Sequence, residues 1–420
     1  MTVDAIPLDV TTDRATGLWT VTAPGFSLGR PVVGPERVYV VVADRITALE
    51  RHSGELRWQR PVDVQTRHGL RYERLTLAGD RLLLRGELPD TRRELLVALD
   101  SATGEQVWTR KIVAWTELIR DQDTLYLREP AALGVAGADE QLTAVALSDG
   151  QPRWQQHHGS PIRSLVLAGR QLVHRDGRRA VGLDPSTGAV RWHSPPWPGY
   201  GDLLVDGVDG PVFTWEYDRQ LVSWFDPATG ESLGERVVRL PFGAGAHLSM
   251  RVTDGGQTLW LSQHRHRMVH WLRPLEPDEP LRTFHTGVRA LDSGDEALTL
   301  AGDWVYAVDR GDRLLAGPLA KPGWLRSVGR QSSRLLPRRR RKQFELVPGG
   351  NLLYARQHGP DGYQLLGLVE GRVSWRLPIF TMHPVPVGDR LLVPDLGSGN
   401  DHLRLLDGLT GTTAGPPPRG

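Results

Sequence analysis

The sequence predicts an all-β fold, a single β-propeller of four-stranded antiparallel blades. Three observations carry this reading. A tight turn followed by a tryptophan recurs along the chain. Short β-rich runs bounded by Gly, Asp or Pro fill the intervals. No segment keeps a helical apolar period over about a dozen residues. The blades number eight or nine, nine by repeat count, and the N-terminal strand is expected to complete the last.

The repeat is legible residue by residue. Ala48-Leu49-Glu50-Arg51-His52-Ser53-Gly54 leads to Trp58, and Ala98-Leu99-Asp100-Ser101-Ala102-Thr103-Gly104 leads to Trp108. Ala146-Leu147-Ser148-Asp149-Gly150 is a shortened copy before Trp154, and Gly182-Leu183-Asp184-Pro185-Ser186-Thr187-Gly188 restores the full form before Trp192. Phe225-Asp226-Pro227-Ala228-Thr229-Gly230 keeps the turn but places Gly234 where Trp is expected. Leu368-Val369-Glu370-Gly371 precedes Trp375, and Leu406-Asp407-Gly408-Leu409-Thr410-Gly411 is the last copy. The chemistry explains the pattern. Asp at the turn entrance accepts from backbone amides two residues on, Pro pre-sets φ, and Gly takes the left-handed position. Each copy is therefore a β-hairpin with a large planar anchor.

The intervening runs supply the remaining strands. Arg37–Val42, Asp80–Leu84, Asp123–Leu127 and Arg390–Val393 are short and β-rich, and each follows another short run that ends in a turn. The spacings between Trp58, Trp108, Trp154 and Trp192 are 50, 46 and 38 residues, close to the roughly 40–50 of propeller blades. Two units lack the Thr-Gly turn, Ala246–Phe284 and Val288–Leu319, yet both contain several plausible strands. A lone four-stranded sheet cannot bury both faces, whereas stacked units can, and closure protects the edges. Ala15-Thr16-Gly17-Leu18-Trp19 matches the end of the motif without the strands that should precede it, and 412–420 is poor strand material. Leu18–Val21 is therefore expected to complete the last blade. One propeller domain spans 1–420, with a basic loop insertion at 320–343 and a flexible tail at 416–420.

At these residues the chain resembles the pyrroloquinoline-quinone-like (PQQ-like) β-propeller repeat family, which includes quinoprotein alcohol dehydrogenases and outer-membrane assembly factors of the BamB type. The likeness runs through the first five units and returns at Trp375. It implies that Trp19, Trp58, Trp108, Trp154, Trp192 and Trp375 dock between adjacent blades as structural anchors. It also raises quinone-dependent oxidation, which in the family uses a calcium or lanthanide ion, a catalytic Asp and often a vicinal disulfide. This sequence has no cysteine, no recognisable ligand cluster and no room for the usual insertions. It argues against a PQQ-dependent dehydrogenase, and no cofactor is expected.

Composition narrows the classes further. The absence of cysteine excludes a disulfide framework, a Cys-ligated zinc or iron–sulfur site, a catalytic thiol and a lipobox-type anchor. Lys+Arg is 51 against Asp+Glu 49, a net charge of +2. All the basic residues except Lys111, Lys321 and Lys342 are arginine, as expected of a GC-rich bacterial genome. Such a balance is not the one-sided charge of a nucleic-acid binder. The N-terminus has neither a basic region nor an apolar core of secretory type, and no run is long enough to span a membrane. The expected location is cytoplasmic, with no membrane association.

Two local clusters stand out. His264, His266 and His270 share strand parity and present a weak metal-binding alternative, set against a polar hairpin tip. Arg338, Arg339, Arg340, Arg341 and Lys342 form a run of cations suited to contact with an anionic partner, set against a solvated loop. No nucleophile elbow, Walker loop, H-E-x-x-H or dinucleotide fingerprint occurs. Catalytic residues stay unassigned. The expectation is a non-catalytic scaffold for a protein partner, or a platform for a small-molecule ligand, with nucleic acid not expected. The alternative is a lyase, cyclase or hydrolase acting on a small molecule in the central funnel.

Overall fold

The computed structural model describes residues 6–24, 30–42, 45–61, 75–88, 93–114, 116–130, 140–158, 162–177, 179–196, 203–205, 210–216, 219–240, 248–253, 257–263, 268–276, 280–285, 298–308, 314–321, 323, 325–328, 345–359, 362–379, 383–396 and 401–414. Among them every regular element is a strand and every pairing is antiparallel. The strands form nine sheets, the blades of a β-propeller, as repeat arithmetic favours. Backbone contacts divide the chain into two compact units, 1–77 with 100–105 and 285–420, and 78–99 with 106–284.

The first unit holds blades 1, 7, 8 and 9. Blade 1 is built from Val32–Val33, Arg37–Val42, Arg45–Glu50 and Leu56–Pro61, and blade 8 from Glu345–Gly349, Leu352–Gly359, Gly362–Val369 and Arg372–Ile379. Blade 7 comprises Leu298–Ala301, Trp304–Val308, Leu314–Pro318 and Arg326–Ser327. Its outer strand therefore lies inside the 320–343 segment. Blade 9 takes Val385–Val387, Arg390–Leu396 and Asp401–Asp407 from the C-terminal end and Leu18–Ala23 from the N-terminal end. Trp19 pairs with Leu405 and Thr22 with His402, so the beginning of the chain completes its last blade. A fifth strand, Asp9–Asp13, lies outside it and had no counterpart in the sequence reading. Its residues are mostly exposed, and its sequence, DVTTD, is polar enough to sit at a sheet edge.

The second unit holds most of blade 2 (Leu75–Ala78, Arg81–Glu87, Arg93–Asp100, Gln106–Val113) and all of blades 3 to 6. Blade 3 runs through Glu117–Arg120, Thr124–Glu129, Glu140–Ala146 and Pro152–His158. Blade 4 runs through Ile162–Ala168, Gln171–Asp176, Arg179–Leu183 and Val190–His193. Blade 5 has Val212–Glu216, Leu221–Phe225 and Ser232–Val237, with its innermost strand reduced to the bridge Leu204–Phe213. Blade 6, which lacks the repeat turn, still forms four strands: Leu248–Thr253, Thr258–Gln263, Met268–Leu272 and Arg282–His285.

Within each unit apolar residues fill seams between successive sheets. Trp19, Val21, Leu403 and Leu405 of blade 9 pack on Val38, Val40 and Val42 of blade 1. In the second unit Leu83, Leu96 and Trp108 of blade 2 pack on Leu125, Leu127 and Val145 of blade 3. Burial of both faces explains why second strands such as Arg37–Val42 are almost wholly apolar rather than alternating.

Candidate functional site

The blades that carry the repeat turn have two ends with different chemistry. At one end lies the repeat turn between the third and fourth strands. In blade 2, Asp100 Oδ1 accepts from the amides of Ala102 and Thr103, both at 2.9 Å, and the Asp100 carbonyl accepts from Gly104 at 2.8 Å. The same pattern returns around Asp226 and Asp407. Beside the anchor position the ladder slips by one residue in blades 1 to 5 and 8, a bulge that turns the outer strand.

The six expected anchors all reach the following turn. Indole Nε1 donates from Trp19 to Arg51 O (2.9 Å), from Trp58 to Ser101 O (3.2 Å) and from Trp108 to Leu147 O (2.9 Å). Trp154 donates to Pro185 O (2.8 Å), Trp192 to Pro227 O (3.0 Å) and Trp375 to Gly408 O (2.8 Å). Each ring lies flat against the turn glycine. At Gly104 the backbone has φ +72° and an added Cβ would stand 2.6 Å from the Trp58 ring, so glycine is required on both counts.

Two blades solve the anchoring differently. In blade 5 the pair is inverted, with Trp224 on the third strand facing Gly234 on the fourth. Two residues further on, Arg236 Nη1 donates to Arg273 O and Glu276 O of the blade 6 turn, both at 3.2 Å. In blade 7, Trp304 of the second strand covers Gly371 of the blade 8 turn, and Tyr306 Oη accepts the Gly371 amide at 2.9 Å.

The opposite end, at the hairpin between the second and third strands, carries the buried ionisable groups. In the second unit Arg85 Nε donates to Glu94 Oε2 (2.8 Å) and its Nη1 to Thr116 O (2.9 Å), with Glu94 2% exposed. Arg128 pairs with Glu140 (3.2 Å) and Glu117 (2.7 Å), and Glu140 also accepts the Ile162 amide at 2.9 Å. His158 and His174 meet edge to face with ring centroids 4.9 Å apart. Burial, then the neighbouring His158 charge, pushes His174 down to about 4. In the first unit Glu345 lies 3.8 Å from Arg356 and 3.3 Å from His383, whose backbone is left-handed at φ +74°. Burial raises the Glu345 carboxyl, but the His383 hydrogen bond and the charges of His383, Arg356 and Arg30 outweigh it and hold the group low. Arg404 and Asp395 pair at 3.4 Å in blade 9.

The remaining expected positions fall as follows. His270 is buried in blade 6 with Nδ1 3.0 Å from Thr283 Oγ1. His264, His266, the run Arg338–Lys342 and the tail 416–420 lie outside the described residues. Sequence reasoning missed the buried ion pairs. Their signal was a charged residue at a core position of an apolar strand, as with Arg356 in LLYARQHG.

These repeats and their turn-to-indole bonds define a tryptophan-docked β-propeller. The family model for the outer membrane protein assembly factor BamB matches residues 9–87 and 43–233, more than half of the chain, and the chain belongs to that family. No curated protein matches it at the sequence level. Among solved structures, BamB from Moraxella catarrhalis is similar at 12% identity and TM-score 0.44, over 95% of this chain and 99% of that one. Quinohemoprotein alcohol dehydrogenase from Comamonas testosteroni is similar at 12% and 0.44, over 95% and 76%. Kluyveromyces lactis Hsv2p is similar at 13% and 0.45, over 73% and 100%. Among the described residues the donor set does not fit a metal-dependent quinone group. Among the described residues no three His, Asp or Glu gather where one ion could be held. The buried carboxylates Glu94 and Glu140 are already taken by arginines.

Proposed function

We propose that this chain is a non-catalytic cytoplasmic β-propeller that serves as a protein-interaction scaffold. The observation that carries this reading is the pairing of buried charge. A general acid or base needs a perturbed group free to exchange a proton with substrate. Glu94, Glu140 and Asp395 each face an arginine, which suits rigid loop display rather than proton transfer. Membership of a family named for an assembly factor adds coarse support for a protein partner.

The test is capture by the full-length chain from its own host, followed by reconstitution with the purified candidate. The expected result is a saturable complex with a single protein. Retention of a small molecule that the protein converts, with no reconstituted protein complex, would favour the enzyme reading.

A further inference from the structure

The seam between blades 3 and 4 holds an arrangement that the scaffold reading does not use. His158 ends the outer strand of blade 3, and His174 sits on the second strand of blade 4, only 2% exposed. Three imidazole nitrogens are buried there without a hydrogen-bond partner among the described residues: Nδ1 and Nε2 of His174 and Nε2 of His158. The Arg175 main chain approaches His174 outside bonding geometry. An orphaned buried polar atom is costly, and native structures rarely carry several together without an occupant.

The occupant has to satisfy lone pairs on two neutral rings. Burial disfavours the charged form of both His158 and His174. Their centroids stand 4.9 Å apart. Two imidazoles bound tetrahedrally to one ion at metal–nitrogen distances near 2.0–2.1 Å would stand about 5 Å apart by the same measure. Asp176 is the carboxylate that acts on both rings. His157 acts on His158 in the opposite sense, as His158 and His193 do on His174. His158 is half-buried at a strand end.

We propose that His158 and His174 form a two-imidazole site for a borderline-soft divalent cation of the zinc type, its shell completed by solvent. Nitrogen donors select against magnesium and calcium, which take oxygen. The bound ion would staple the outer strand of blade 3 to blade 4.

The test is titration of the intact chain with zinc sulfate by calorimetry, and with cobalt(II) by visible absorption. The expected result is one equivalent bound, with the intense d–d bands of a tetrahedral cobalt site. His158→Gln and His174→Gln should each weaken affinity by at least about tenfold. The partly exposed His158 position keeps the test open if His174→Gln does not fold. His264→Gln/His266→Gln should bind like the parent. Absence of saturable binding overturns the proposal, as does binding that survives His158→Gln but is lost in His264→Gln/His266→Gln.

Discussion

A buried indole that packs flat on a glycine and donates to a carbonyl of the next turn does two jobs with one side chain. Trp108 is 7% exposed and donates to Leu147 O at 2.9 Å. Trp108→Ala should cost about 3–5 kcal/mol through the cavity and the unpaired carbonyl. Trp108→Phe should recover part of that, because the ring stays while the N–H is lost. Chemical denaturation midpoints for the two variants check the order. The anchors were legible because each follows a glycine turn at a short, nearly fixed offset. Trp304 was not, because it performs the same task from a different strand, and nothing in its local sequence carries that offset. The His158–His174 contact was illegible for another reason: the two residues belong to different blades, and adjacency across a seam leaves no local pattern.

The Ser186 hydroxyl and Arg191 guanidinium, then the Ser186 amide, hold the Asp184 carboxyl well below the usual aspartate range. A carboxyl lowered on folding contributes stability that is present above its unfolded pKa and is lost as pH falls toward the folded value. The blade 4 turn should therefore loosen on acidification, and Asp184→Asn should flatten that dependence. Hydrogen exchange at Ser186–Ala189 as a function of pH reads it directly. Blade 5 yields a second prediction. Arg236 bonds the blade 6 turn where an indole would otherwise do so, so Arg236→Ala should speed exchange at 273–276 and cost on the order of 1 kcal/mol. Repeat reading correctly flagged Gly234 as the departure from pattern. The compensating move of the indole to position 224 emerged only when the strands were paired, because it depends on cross-strand register.

At the scale of the whole molecule, the nine blades were countable in the sequence because β-rich runs persist through 246–319 even where the Asp-Thr-Gly turn does not. The hairpins of blades 6 and 7 form without it because seam burial, not turn chemistry, supplies most of their stability. The outermost strand Asp9–Asp13 escaped notice because a polar edge strand has no apolar periodicity to betray it. The two ends of the chain share one sheet. Thr22 Oγ1 lies 2.9 Å from His402 Nδ1, on paired residues of that sheet. The native sequence has no cysteine, so the variant Thr22→Cys/His402→Cys offers a single pair of thiols. Mild oxidation followed by non-reducing peptide mapping should find that pair joined within one chain, with a raised denaturation midpoint. Thiols that stay free, or that join only between molecules, would contradict closure of the last blade by the N-terminal strand.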